Sequence, residues 1–486
     1  MNDPARTAPA HTPLGLSAKL FYGFGSVAYG VKNNGFNGLL LVFYNQVVGL
    51  PAWLVSTAIM IALVADAALD PIVGQVSDNW RSPWGRRHPF MYASAVPVAL
   101  SYLLLWTPPH WSRGALFAYL IVVAIVIRTF ITFYEIPSSA LAAELSADYD
   151  ERTSLLSYRL FFGWWGGLSL NLAAFAIFLR PDRAHPVGQL NPAGYGHYGL
   201  AAAITMFAAI LISAAGTHRY IPSFRAPPRR RMRLGAMARE MASTLAHRSF
   251  LMLTASSLFT AMAVGLTAAL GVYFNTYFWQ FSAGQIAALT AAVFISAAIA
   301  LFASAPLSRR FGKKPAAMAL IVGSVLVSTA PPLLRLAGLF PPNGAPILLP
   351  LMFAQTVLAS TLGIAGATLT SAMIADVVED SELRTGRRSE GLFFSAASFV
   401  QKAISGVGIF SAGMVLLAVR FPATARPGHV EPQIVRNLAV VYLPTLWALY
   451  GLALAFLAGY RITRASHMEN LERLAAEAEE VAQPVG

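Results

Sequence analysis

The chain has 486 residues and a formal charge of +13, yet only 12% of it is charged and 56% is hydrophobic. A soluble chain carries about 25% charged residues, so this one has too little polar surface to stay in water. It contains no cysteine, which removes disulfides, thiolate metal sites and cysteine nucleophiles, and its basic excess sits in short loops, where it reads as an orientation signal rather than a nucleic-acid footprint.

The apolar residues fall into runs of roughly 18 to 25, each long enough to cross a hydrocarbon core of about 30 Å as a helix. The runs are continuous rather than alternating, so helices win over a barrel. Residues 1–19 are polar and lack the apolar core of a cleavable signal, and are expected to form a cytoplasmic tail. Spans follow at 20–46, 53–77, 89–107, 114–143, 156–179 and 198–216, giving a first six-helix half over 20–216. A basic linker over 217–249 carries Arg225, Arg229, Arg230, Arg231 and Arg233 around two prolines. The second half, 250–462, has spans at 250–278, 284–306, 315–336, 347–375, 391–418 and 437–461. In the tail over 463–486, Met468, Leu471, Leu474 and Ala478 stand at helical spacing.

Gly85-Arg86-Arg87 after the second span recurs as Gly312-Lys313-Lys314 after the eighth. Glycine takes the left-handed turn, and a basic pair reaches helix C-terminal carbonyls. Two equivalent turns in two six-span blocks indicate duplicated halves around a central site, the architecture of alternating-access carriers. Arg81, Arg86, Arg87, Arg309, Arg310, Lys313, Lys314, Arg384, Arg387 and Arg388 share one side. The positive-inside rule makes that side cytoplasmic, with both termini on it, in the inner membrane of the cell.

Ionisable groups inside spans are the most informative residues. Lys32, Asp66, Asp70, Arg128, Glu135 and Lys402 would together cost on the order of 15 kcal/mol facing lipid, so they face water or one another. Asp70 lies one turn from Asp66, and Glu135 two turns from Arg128, so the carboxylates form a layer at or just below the midplane. Hard cations take oxygen ligands, and a proton takes a carboxylate in a dry site. Asn33, Asn34 and Asn37 make the first span polar, and their amides suit a hydroxyl-rich or carboxylate-bearing solute. Trp164 and Trp165 offer stacking faces for a sugar, and Tyr134 is a further candidate contact. Asp376, Glu379 and Asp380 alternate with Arg387 and Arg388 where a charge latch would close the mouth.

These residues resemble the glycoside-pentoside-hexuronide:cation symporters of the major facilitator superfamily, the melibiose permease-like carriers. The resemblance runs from Tyr22-Gly23-Phe24-Gly25 through Asp66, Asp70-Pro71 and Gly74, Trp84-Gly85-Arg86-Arg87 and Glu135-Ile136-Pro137 to Asp376, Glu379-Asp380, Glu390-Gly391 and Lys402. It implies an all-α, twelve-helix membrane fold and a monovalent cation site at Asp66, Asp70, Glu135 and Thr132, with Lys402 as counter-charge. Arg128 and Lys32 join it as coupling charges, and Arg159, which matches a fifth-span arginine of the family, is expected to contact the solute. Glu135 replaces an aspartate, and Gly30 stands where the permease has a sugar-binding aspartate. Losing that carboxylate and gaining Lys32 points towards an acidic solute such as a hexuronide.

The expected function is therefore Na+- or H+-coupled import of a sugar, glycoside or hexuronide by a single chain, with no cofactor and no nucleic-acid partner. A carrier of lipids or other amphiphiles and a non-transporting solute sensor are the alternatives. The sequence has no GxxxxGK[ST], HExxH or GxSxG motif, so nucleotide-driven pumping and hydrolysis lack their usual chemistry.

Overall fold

The computed structural model describes residues 14–146, 148–223, 248–385 and 406–460, and their secondary structure is entirely helical. Among these residues ten helices are long and apolar enough to cross a membrane. The first span is broken instead of continuous. It consists of α1 (Leu16–Phe24), α2 (Ser26–Asn34), a wide π-helical turn at Gly35–Leu39, α3 (Leu40–Val42) and a second wide turn at Phe43–Val47. It starts four residues before the sequence reading placed it, because Leu16 to Lys19 continue the helix without a breaker.

The rest of the first half is α4 (Ala52–Asn79), α5 (His88–Trp106), α6 (Arg113–Leu145), α7 (Tyr149–Ala173) and α8 (Pro192–His218). The second half is α9 (Arg248–Tyr273), α10 (Ala283–Phe311), α11 (Lys313–Leu336), α12 (Leu348–Thr385), α13 (Gly406–Ala418) and α14 (Pro432–Ala458). Of the basic linker expected over 217–249, residues 224–247 lie outside the described residues, as does the chain beyond 460. Local chemistry sets several helix starts. The Asp148 carboxylate accepts from the Glu151 amide at 2.8 Å, and Asn191 accepts from Ala193 at 3.1 Å. Ser282 and Gln285 form a reciprocal capping box at α10. The α4 helix, 28 residues or about 42 Å long, exceeds the hydrocarbon core and carries its ends into the interface. Large apolar groups such as Val64, Leu104, Val122 and Phe302 are exposed, as a lipid solvent requires.

Within the first half, α4 packs on α6, α5 on α6 and α8, and α2 on α7. In the second, α12 packs on α10 and α11, and α9 on α14. The α2–α7 contact is backbone to backbone: a Cβ at Gly30 would overlap the Gly163 carbonyl, and one at Gly167 would overlap Asn34 and the Gly30 carbonyl. Small residues let membrane helices approach this closely. The predicted glycine turns are both present, with φ of +72° at Gly85 and +82° at Gly312. These turns mark one face of the molecule, the turn face. The ends of the first, fifth and seventh spans mark the other, the far face. There three spans close with a wide turn in which an amide reaches back five residues: Val48 to Phe43 at 3.0 Å, Leu179 to Ala174 at 2.8 Å and Trp279 to Phe274 at 2.9 Å.

Candidate cation and solute site

Asp66 and Asp70 on α4 stand one turn apart and meet Arg128 and Thr132, one turn apart on α6, so two i,i+4 pairs interlock. Arg128 Nη1 donates to Asp66 Oδ2 at 3.0 Å. Thr132 Oγ1 lies 2.9 Å from Asp66 Oδ1 and 3.1 Å from Asp70 Oδ1. A hydroxyl has one proton, so this group satisfies one carboxylate at a time, and three oxygens converge on one point. Asp66 is 4% exposed and Arg128 3%, while Asp70 is half-buried. The first span reaches the cluster through Phe36, whose ring centroid lies 4.9 Å from the Arg128 guanidinium, and within that span Lys32 Nζ lies 4.5 Å from the Tyr29 ring centroid.

Glu135, one turn beyond Thr132 on α6, turns to α7 instead. Its Oε1 accepts from Arg159 Nη2 at 2.6 Å, while Arg159 Nη1 donates to Ser138 Oγ at 2.9 Å. Glu135 Oε2 is buried without a hydrogen-bond partner. The sequence reading put three carboxylates in one layer. The structure divides them into an Asp66–Asp70 oxygen cluster and a separate Glu135–Arg159 pair, and it turns Arg159 away from the solute role expected of it, because the guanidinium is buried and committed to α6.

The solute candidates scatter. Asn33 and Asn37 are half-buried, and at Gly38, next to Asn37, a Cβ would meet nothing within 4 Å. Asn34 donates to its own helix at Gly30 O, 3.1 Å away, and packs against Gly167. Tyr134 is fully buried, donates to Ser213 Oγ at 3.0 Å and fills the space over Gly25, so it holds helices together rather than facing an opening. The Trp165 ring meets Phe294 of α10 at 4.9 Å, across the two halves, and Trp164 beside it is 52% exposed. The tight Gly30–Gly163 approach also explains why no aspartate stands at position 30: there is no room for a side chain. Asp376, Glu379 and Asp380 fall on the last turns of α12, of which only the backbone is described, and Arg387, Arg388 and Lys402 lie outside the described residues.

Two arrangements escaped the sequence reading. On the turn face, Arg86 and Arg87 reach carboxylates instead of helix-end carbonyls: Glu144 takes Arg86 Nη2 at 2.7 Å and Arg87 Nε at 3.0 Å, and Arg87 also engages Asp78 and Ser77. The second copy of the turn does cap a helix, since Lys314 Nζ donates to the Ala458 and Tyr460 carbonyls at 2.7 Å. On the far face, buried amides join the halves, and nothing in an Asn-Gln dipeptide distinguishes such a contact from an ordinary span end.

This arrangement, two packed six-helix halves with charged groups buried between spans, defines a multi-pass membrane transporter of the major facilitator fold. A family model described as MFS/sugar transport protein matches residues 21–464, and the chain belongs to that family. The putative glycoside/cation symporter YagG of Escherichia coli (strain K12) is 25% identical over 93% of this chain and 94% of its own length. The sodium-dependent lysophosphatidylcholine symporter 1 of Homo sapiens is 27% identical over 80% of this chain and 73% of its own. The inward-open structure of the xylose transporter XylE from E. coli shares the fold at a TM-score of 0.61 and 14% identity, covering 94% of this chain and 99% of that one.

Proposed function

We propose that this symporter couples a Na+ or H+ gradient to uptake of a small polar solute, a sugar, glycoside or hexuronide, by alternating access. The observation that carries the reading is the convergence of Asp66 Oδ1 and Asp70 Oδ1 on Thr132 Oγ1, at 2.9 and 3.1 Å. An all-oxygen cluster holding two carboxylates suits a hard cation, and a pair of close carboxylates equally suits a shared proton. Arg128 competes with the ion for Asp66. Ion arrival therefore alters how tightly α4 is held to α6, which is a route from ion binding to helix movement. Lys402 serves as counter-charge in this reading, and the Asp376, Glu379, Asp380, Arg387 and Arg388 group as the latch at the turn face. The basic loops on that face support a cytoplasmic location for it and for both termini, with the protein in the inner membrane.

Asn33 and Asn37 are the solute-facing amides in this reading, with Trp164 and Trp165 as stacking faces. Gly30 in place of a carboxylate, with Lys32 two residues further on, supports an acidic solute such as a hexuronide. A competition assay settles it: uronates displace the solute if that argument is right, and neutral glycosides alone displace it if it is not. The decisive experiment is solute uptake into proteoliposomes under imposed Na+ or pH gradients. Uptake that follows one gradient and loses that dependence in Asp70→Asn supports the proposal; gradient-independent uptake in both overturns it.

A second reading has one observation in its favour. A relative is named sodium-dependent lysophosphatidylcholine symporter 1, and lysophosphatidylcholine is an amphiphile. Uptake of a lysophospholipid, with no competition from sugars, selects that reading, and solute binding without flux selects a sensor.

A further inference from the structure

We infer that Gln46 is the keystone holding the far face closed, and that losing its side chain shifts the molecule towards a state open on that face. A primary amide makes four hydrogen bonds at most, two as donor and two as acceptor. Gln46 makes all four, and it is buried. Its Nε2 donates to Asn45 Oδ1 at 2.5 Å and to the Pro422 carbonyl at 3.0 Å. Its Oε1 accepts from Tyr277 Oη at 2.9 Å and from the Ala425 amide at 2.8 Å. Three of these four partners belong to the second half, while Gln46 belongs to the first. Asn45 extends the joint, accepting from Tyr273 Oη at 2.8 Å. The side chains engaged are amides and phenols, so the joint depends on hydrogen-bond geometry.

A second amide crosses the same interface less completely. Gln189 Nε2 donates to Thr276 Oγ1 at 3.1 Å and to the Phe281 carbonyl at 2.9 Å, but Gln189 Oε1 is buried with no partner. A cleft of about 500 Å³ lined by Arg180, Val187, Gly188, Thr276, Phe281 and Pro427 opens beside it. Opening hydrates the unsatisfied Gln189 oxygen, which offsets part of what its two bonds contribute, whereas opening at Gln46 breaks three bonds between halves at a site with every valence filled. The two glutamines are therefore unequal, and Gln46 dominates.

The chain has no cysteine, so cysteines introduced at Ala184 and Leu339, exposed loop positions on the far face, carry the only spin labels. Pulsed dipolar spectroscopy on full-length protein in nanodiscs, without solute, then reads the separation of the halves. Gln46→Ala is expected to raise the ratio of long- to short-distance populations at least about fivefold, the shift that one lost hydrogen bond of ordinary net strength produces. Tyr277→Phe removes one hydroxyl without changing packing volume. It shifts the ratio in the same direction, and it decides the matter should Gln46→Ala not fold. Unchanged distances in the folded variants overturn the inference, as does a larger shift from Gln189→Ala than from Gln46→Ala. No solute or coupling ion enters the measurement, so its failure leaves the coupling proposal standing, and the converse holds.

Discussion

Thr132 is the neutral member of the oxygen cluster, and its hydroxyl bridges two carboxylates that each make other contacts. Thr132→Val keeps the shape and removes the oxygen. A hydrogen bond to a charged group contributes about 1.5–3 kcal/mol, so the concentration of cation giving half-maximal stimulation of uptake is expected to rise about tenfold or more. An unchanged ion titration would remove Thr132 from the site. The Glu135–Arg159 pair makes a different demand. Removing one partner of a buried pair costs about 3–5 kcal/mol, and removing both costs far less; the Glu135 side chain retains 19% exposure, which places it at the low end. Arg159→Ala should therefore lower the thermal midpoint of the purified protein, and adding Glu135→Gln should restore most of it. Asp66 and Asp70 were legible as a pair because one-turn spacing fixes their common face. Which arginine Glu135 would choose was not, since Arg128 and Arg159 are both within a helix diameter and the choice depends on how α6 is rotated against α7. Tyr134 misled for a related reason: a tyrosine beside a charged residue looks like a ligand contact until Ser213 and Gly25 are seen to enclose it.

At the scale of helices, glycine placement separates structural from permissive positions. Gly167 touches the Gly30 backbone directly, whereas Gly38 faces open space. Overpacking a tight interface costs about 1–3 kcal/mol or more, so Gly167→Leu should reduce folded yield and lower the thermal midpoint, while Gly38→Ala should leave both unchanged. Equal effects of the two would mean that the α2–α7 contact does not limit stability. Most span ends were readable from hydropathy to within seven residues, because a helix in lipid must satisfy its own backbone hydrogen bonds and shows as an apolar run; α12 instead runs ten residues past the expected end at 375, and the expected start of the eleventh span lies outside the described residues. The wide turns at 35–39, 43–47, 174–178 and 274–278 were not. A π-turn differs from an α-turn by one hydrogen-bond step, and no apolar periodicity records it.

For the whole molecule, the repeated Gly-basic-basic turn made two halves readable, since a duplicated unit must place its loops equivalently. The closed far face was not readable, because its main joint is a single amide meeting main-chain groups 376 and 379 residues away in sequence. Orientation follows from charge. Topology reporters fused at the N-terminus, at the C-terminus and in the loop between α4 and α5 are all expected to read as cytoplasmic, and one in the loop between α7 and α8 as external; a split among the first three would reverse or break that assignment.

The wide turn at Phe43–Val47 has one consequence for how the far face can change over evolution. Excising one residue removes the extra position that distinguishes this wide turn from an α-turn, so Gln46 would leave the point at which its four hydrogen bonds converge. Sequence drift by substitution can weaken the contact in steps; a single-codon deletion would abolish it at once, which makes the length of this segment a stricter constraint than its composition.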